Sequence, residues 1–224
     1  NKVDTVFMIA EQAQYWTDVV KARELMDAGA IGEVISASGN FYDRVVIDAD
    51  APPPWRYSLA VSGGGLTIDG GAHWIRPLRM MMGEVEEVIG VAGHHVPRME
   101  GESWSRMLMK FQNGSVGVLT CQNVMHASGP TDMFRVTGTG GEIQITGGRD
   151  GLLILFNKDH PRGESIMNAV EGKMNSYGAE IKDFCEVVLD GTTMAAPPEY
   201  SLGEFRTAQA LYKSIESGRW EKVW

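Results

Sequence analysis

Residues 103–124 read SWSRMLMKFQNGSVGVLTCQNV, and this stretch decides the fold class. Two runs of strand length and composition, Ser103–Phe111 and Ser115–Val124, flank the dipeptide Asn113-Gly114. Asn-Gly supplies the positive φ angles of a tight hairpin, so the two runs are expected to pair. Strands joined by so short a turn must run antiparallel. The pattern continues outward through Val85–Ala92, Phe134–Gly138, Glu142–Thr146 and Leu152–Phe156, with Gly140-Gly141 marking a second hairpin. Upstream, Thr5–Ala10 and Glu33–Tyr42 also read as strands.

Helical periodicity lies before and after this strand-rich block. Thr17 is placed as the N-cap of a helix to Ala28, stopped by Gly29. A second helix is expected over Leu66–Met82, with Ile68, Ala72, Ile75, Leu78 and Met82 as its core stripe. Pro77 is expected to kink it. Tyr177–Leu189 reads as a third. Ser201-Leu202-Gly203-Glu204 reads as a capping box that opens a fourth, carrying Phe205, Ala208, Tyr212 and Ile215. Strands in a run with helices grouped around them give an α+β domain rather than a doubly wound one.

At 224 residues with 43% hydrophobic and 22% charged side chains, the chain can bury a substantial core. A net charge of −9 argues against nucleic acid or an anionic membrane as partner. No apolar run is long enough to span a bilayer, and no signal peptide is read at the start. Two widely separated cysteines, Cys121 and Cys185, suit reduced thiols, so a cytoplasmic location is expected. The chain opens on Asn1 rather than Met. It is read as a fragment of a longer protein, with a stand-alone domain as the alternative.

The chemically suggestive stretch is Gly63-Gly64-Gly65-Leu66-Thr67-Ile68-Asp69-Gly70-Gly71-Ala72-His73. On a continuous helix Asp69 and His73, four apart, would lie one above the other. Glycines cost about 1 kcal/mol each in a helix interior, so Gly70 and Gly71 suggest a place where substrate or cofactor approaches bare backbone. Before it runs a long irregular stretch from Arg44 to Gly65, containing Pro52-Pro53-Pro54 and then Trp55-Arg56. Loops of that length tend to carry function. No Gly-x-Gly-x-x-Gly or Gly-Lys-Ser/Thr phosphate loop is found, so the chain is not expected to hold a nucleotide unaided.

Several segments, in this order, resemble the C-terminal domain of the glucose–fructose oxidoreductase/inositol dehydrogenase family. They are Ala10-Glu11-Gln12, the passage Leu25–Val34, Trp55-Arg56 with Gly63–Gly65, the Asp69/His73 pair, Phe111–Gly117, Gly138–Gly141 and Glu216–Arg219. The resemblance implies that residues 1–224 form one substrate-binding and oligomerisation domain. Its large, predominantly antiparallel sheet would carry helices on one face and lie open on the other. It further implies NAD or NADP bound mainly by a Rossmann domain outside this chain, a sugar or polyol substrate, and a homodimer or homotetramer formed through the sheet. Two departures stand out: Gln12 where Asn is common, and Arg76 where an Asp often follows the histidine.

The resemblance makes Asp69 and His73 catalytic, and histidine suits the proton step because its unperturbed pKa lies near working pH. Asp69 would fix the ring or anchor a hydroxyl of the substrate. Gln12, Tyr15, Trp55, Arg56 and Arg76 are candidate substrate contacts. Glu11, Trp55 and Arg56 are candidate cofactor contacts. A structural ion pair for Arg76 and loop packing for Trp55 stay open. His94, His95 and His126 invite a metal reading, but adjacent histidines on a strand point to opposite faces, and no metal site is expected. A non-catalytic sugar-binding or scaffold module, and a metal-dependent hydrolase or lyase, are the competing functions.

Overall fold

The computed structural model describes residues 5–46, 48, 50–126, 129, 132–147, 151–168 and 170–224, with the side chains of 170–174 excluded. Of the irregular stretch from Arg44 to Gly65, positions 47 and 49 lie outside the described residues. A nine-stranded sheet in the order β8-β7-β6-β5-β1-β4-β3-β2-β9 forms the body of the molecule. The strands are β1 (Val34–Val45), β2 (Val85–Gly93), β3 (Trp104–Phe111), β4 (Val116–Met125), β5 (Asp132–Gly138), β6 (Gly141–Thr146), β7 (Leu152–Asn157), β8 (Glu164–Asn168) and β9 (Glu221–Lys222). All neighbours are antiparallel except β1 and β4, which pair in parallel from Ser36↔Val116 to Val45↔Met125.

The Asn113-Gly114 turn joins β3 to β4 as the sequence requires. Gly114 takes φ +86°, and Asn113 Oδ1 accepts from Ser115 N at 3.0 Å and from its hydroxyl at 2.6 Å. Alternation then sorts the two faces. Along β3, Ser105, Met107, Met109 and Phe111 are buried while Leu108 and Lys110 are exposed. Along β4, Gly117, Leu119 and Cys121 point into the core, and Val116 and Val118 point away from it.

Among the described residues, helices cover only the inner face. They are α1 (Thr17–Asp27), α2 (Leu59–Ser62), α3 (Leu66–Asp69), α4 (Ala72–Met82), α5 (Val170–Asp190) and α6 (Leu202–Ser217). Of these, α4 lies on β1, α3 on β3 and β4, and α6 on β2. Ile75, Leu78, Met81 and Met82 of α4 meet Leu119, Phe134, Met107 and Met109 in one buried cluster. This is the α+β architecture expected, with one sheet face left uncovered.

Several local readings are corrected. Thr5–Ala10 is not in a strand, and Val6, Phe7 and Ile9 are exposed. Thr17 opens α1 instead of capping it; Trp16 is the cap, with no side-chain bond. Helix α5 begins before Tyr177, and β8 and β9 were not anticipated from sequence. Ser201 precedes α6 as expected but makes no capping bond, because its hydroxyl accepts from Arg76 instead. Pro77 sits inside α4 without interrupting it.

The expected Leu66–Met82 helix breaks instead at Gly70-Gly71, where Gly71 N reaches back five residues to Leu66 O at 2.9 Å. Neither glycine is there for an approaching ligand. A Cβ at Gly70 would come within 2.3 Å of the Phe41 ring, and one at Gly71 within 2.5 Å of Thr67 O and 2.8 Å of Cys121 Sγ. The packing of α3 and α4 onto the sheet fixes both positions. Gly71→Ala is therefore expected to destabilise the fold by about 1–3 kcal/mol through overpacking, rather than gain helix propensity. Urea unfolding measures it, and a stabilised variant would refute the packing argument.

Candidate active site

The glycine-rich segment is held from beneath by a residue that sequence reasoning missed. Glu102, 6% exposed, accepts from Gly65 N through Oε2 at 2.8 Å and from Thr67 N through Oε1 at 2.8 Å. Its backbone oxygen accepts from Leu66 N at 2.8 Å, and the Tyr212 hydroxyl donates to Oε1 at 3.1 Å. One carboxylate thus satisfies the orphan N–H groups that open α3 and places its charge at their positive end. Burial, then the charge of Glu102 and its hydrogen bond, raises the Tyr212 phenol pKa, which keeps it a donor. A Cβ at Gly65 would fall 2.2 Å from Glu102 O, so this glycine too is set by packing. No local pattern marks Glu102; only the fold brings it here.

At the far end of the segment, His73 stands at the start of α4 with its side chain 36% exposed. Its Nδ1 lies 2.7 Å from Oε1 of Glu11, whose side chain is 11% exposed. A carboxylate only accepts, so Nδ1 carries the proton and Nε2 is left as the basic nitrogen. Burial alone would lower the imidazole pKa. The Glu11 hydrogen bond and the charges of Glu11, Asp69 and Glu180 outweigh it, and the net shift is upward. The next residue, Trp74, joins an aromatic cluster, 4.4 Å from Phe41 and 5.3 Å edge-on from Trp16.

Asp69 does not hold the histidine. Its Oδ2 pairs with Arg56 Nε at 3.2 Å, both side chains being about half exposed (42% and 50%). The break at Gly70-Gly71 separates α3 from α4, and Nδ1 is already taken by Glu11. Asp69 acts on the ring through its charge, not as the bonded partner expected from the i, i+4 spacing. Arg56 also lies 5.4 Å from the ring of Trp55, which is 62% exposed. Asp43 of β1, another residue the sequence did not flag, faces the same corner. Partial burial and then the charge of Asp69 raise its pKa, while Arg56 opposes the shift.

The remaining expected contacts divide. Gln12 is half-buried in the 3-10 turn Gln12–Tyr15, next to Glu11. Tyr15 donates to Asp183 Oδ2 at 2.7 Å, and burial together with that bond raises its pKa, so its proton is committed to α5. Glu11, expected at the cofactor, has Oε1 occupied by His73 and by Ala13 N at 3.0 Å.

For Arg76 the structure shows the ion pair that the sequence left open. The side chain is fully buried, bonds Glu204 at 2.6 and 3.2 Å, Ser201 at 2.7 Å and Gln14 at 2.9 Å, and lies over Tyr200. The same Glu204 carboxylate bonds Arg79. Arg76 is off the apolar stripe of α4 yet buried, because α6 covers that side. The histidine pair is likewise structural: His94 Nδ1 donates to Gly101 O at 2.8 Å. His95 bonds Asn123 O through Nε2 at 2.9 Å and Ser103 Oγ through Nδ1 at 2.8 Å. Cys121 is buried, with burial raising its thiol pKa to about 12, and Cys185 is free and exposed. Among the described residues no helix is long and apolar enough to cross a membrane.

Three comparisons bear on this geometry. The family model described as the GFO/IDH/MocA C-terminal domain matches residues 19–144. The D-xylose dehydrogenase of Paenarthrobacter nicotinovorans is 30% identical over 155 residues, 68% of this chain and 38% of that protein. The levoglucosan dehydrogenase of Pseudarthrobacter phenanthrenivorans is 23% identical over 197 residues, 77% of this chain and 50% of that protein. A solved levoglucosan dehydrogenase in complex with NADH and levoglucosan superposes with a TM-score of 0.82 at 21% identity, over 99% of this chain and 67% of that one. At that identity the likeness is one of fold. The chain spans about half the length of the curated relatives it matches.

The arginine–carboxylate cluster behind the site gives a direct test. Glu204→Ala would leave Arg76 and Arg79 short of their shared buried partner, and a loss of about 3–5 kcal/mol in unfolding free energy is expected. An unchanged urea midpoint would defeat the structural assignment of Arg76.

Proposed function

Because the chain belongs to the GFO/IDH/MocA C-terminal domain family, we propose that it forms the substrate-binding half of an NAD(P)-dependent oxidoreductase. The substrate would be a sugar, a polyol or a derivative, oxidised at a secondary hydroxyl. The observation that carries the reading is His73, half-exposed, with Nδ1 held by Glu11, Nε2 left as the basic nitrogen and the charge of Asp69 acting on the ring. The names of the relatives, which are dehydrogenases of levoglucosan and D-xylose, support the substrate class.

Oxidation of a secondary alcohol removes a hydride from carbon and a proton from oxygen. The nicotinamide, held mainly by the part of the protein beyond this chain, supplies the hydride acceptor when bound. Exposed Trp55 and Arg56 suit the rim of such a site: an aromatic face for a planar ring or the apolar side of a sugar, and a guanidinium for hydroxyl or phosphate oxygens. Neutral His73 accepts the hydroxyl proton at Nε2, and the surrounding carboxylates stabilise the imidazolium that forms. In the reverse direction the same nitrogen returns the proton. Asp69, half exposed beside Arg56, accepts a hydrogen bond from a neighbouring substrate hydroxyl.

In the full-length protein, His73→Ala is expected to lower kcat by on the order of 10²–10⁴ while circular dichroism stays unchanged. Near-normal turnover would remove His73 from the mechanism. We also propose that the uncovered sheet face, where Leu108, Val116, Val118 and Val91 are exposed, pairs two copies into a homodimer or a homotetramer. Small-angle scattering should give a mass of at least two chains, reduced by Val118→Lys; a monomeric wild type would overturn it.

A further inference from the structure

The pairing around His73 assigns a role that the Asp69/His73 spacing alone conceals. Two rungs tie the 3-10 turn after Glu11 to α4: Glu11 to His73 at 2.7 Å and Gln14 to Arg76 at 2.9 Å. Both partners advance by three residues, so turn and helix are in matched register. The Arg76 rung ends in a fully buried ion pair, which makes the register rigid. Glu11 is itself fixed by Ala13 N on the same oxygen. A His73 ring set against this carboxylate has one orientation and one tautomer.

We propose that Glu11 is the positioning residue of the site, accepting Nδ1–H of His73 so that Nε2 faces the substrate, while Asp69 is released to bind a substrate hydroxyl. The inference rests on His73 being the proton acceptor, but its tautomer is measurable without turnover. The groups facing the ring are Glu11 from the turn, Asp69 from α3 and Glu180 from α5. Arg56 balances Asp69. Glu180 is 5% exposed, and its Oε1 has no hydrogen-bond partner among the described residues. Burial and the Glu11 charge raise its pKa, with His73 and Arg76 opposing. Glu11 is the carboxylate bonded to the ring; the other two act at a distance.

The test is nitrogen-15 NMR of histidine-labelled full-length protein, with His73 assigned by its loss in His73→Asn. In the neutral wild type, Nδ1 should carry the proton and Nε2 should show the shift of a bare nitrogen. An Nε2–H tautomer there would overturn the proposal without any variant. Glu11→Ala should return the ring toward the Nε2–H form favoured by free imidazole. Glu11→Gln keeps an oxygen acceptor but removes the charge, so it should retain Nδ1–H and lower the titration midpoint. The sign follows from the raised pKa: loss of the negative partner favours the neutral ring, so the acid limb of kcat/KM moves to lower pH. Glu11→Ala should also lower kcat by about tenfold or more with less than about a twofold change in sugar KM. An Ala variant with unaltered tautomer and midpoint would overturn the role of Glu11. If His73→Ala retained turnover but the NMR result held, the mechanism would fail and the positioning would stand.

Discussion

A single buried carboxylate, Glu204, determines where the site can be. It bonds both Arg76 and Arg79 of α4 from its own place in α6, and Arg79 is shared further with Glu84 at 2.5 Å. Burying such charges is costly, and the desolvation is offset only because the guanidinium groups find carboxylate, carbonyl and hydroxyl oxygens in good geometry. Tyr200 stacks under both cations, 4.7 and 4.0 Å from their centres. The arrangement permits essentially one rotation of α4 about its axis. That rotation puts Ile75, Leu78 and Met82 on the sheet and turns His73 toward Glu11.

From this anchor the site is assembled by carboxylates in distinct roles. Glu102 closes the start of α3, Glu11 holds the imidazole, and Asp69 answers Arg56 on the surface. Buried Glu102 is satisfied by backbone N–H groups and a phenol, whereas Asp69 stays half exposed and able to exchange partners. The contrast is one between rigid, buried support and a replaceable pair at the surface. An exposed ion pair such as Asp69–Arg56 contributes roughly 0–1 kcal/mol, so opening it costs little.

The sheet was legible because its signals are local. Asn113-Gly114 and the alternation of β3 and β4 need nothing beyond their own residues, and the hairpins followed. In the glycine-rich segment, packing rather than an approaching ligand accounts for Gly70 and Gly71. Gly70 answers to Phe41, and Gly71 to Thr67 of its own segment and to Cys121, so most of the cause lies in residues distant in sequence. Ser201-Glu204 looked like a local capping motif but belongs, with Arg76, to a tertiary ion cluster between α4 and α6; of the two readings open for Arg76, the ion pair is the one found. Glu11 was picked out by resemblance and given a cofactor contact, whereas its bond to His73 depends on where the 3-10 turn lands. Nothing in the sequence pattern marked Glu102.

The parallel pairing of β1 and β4 bears on how the chain reaches this structure. β1 is the first strand in sequence but a central one in space, bonded to Val116–Met125 on one side and to β5 on the other. Neither neighbour exists until long after β1 has left the ribosome. Loop-closure entropy must be met before these non-local pairs form, which makes such topologies slow to fold. The hairpins β2–β3–β4 and β5–β6–β7 pair strands that are neighbours in sequence, whereas β1 must close long loops to reach β4 and β5. The helices α3 and α4, which carry Asp69 and His73, lie between β1 and those hairpins in sequence, so their packing depends on the closure of these long loops.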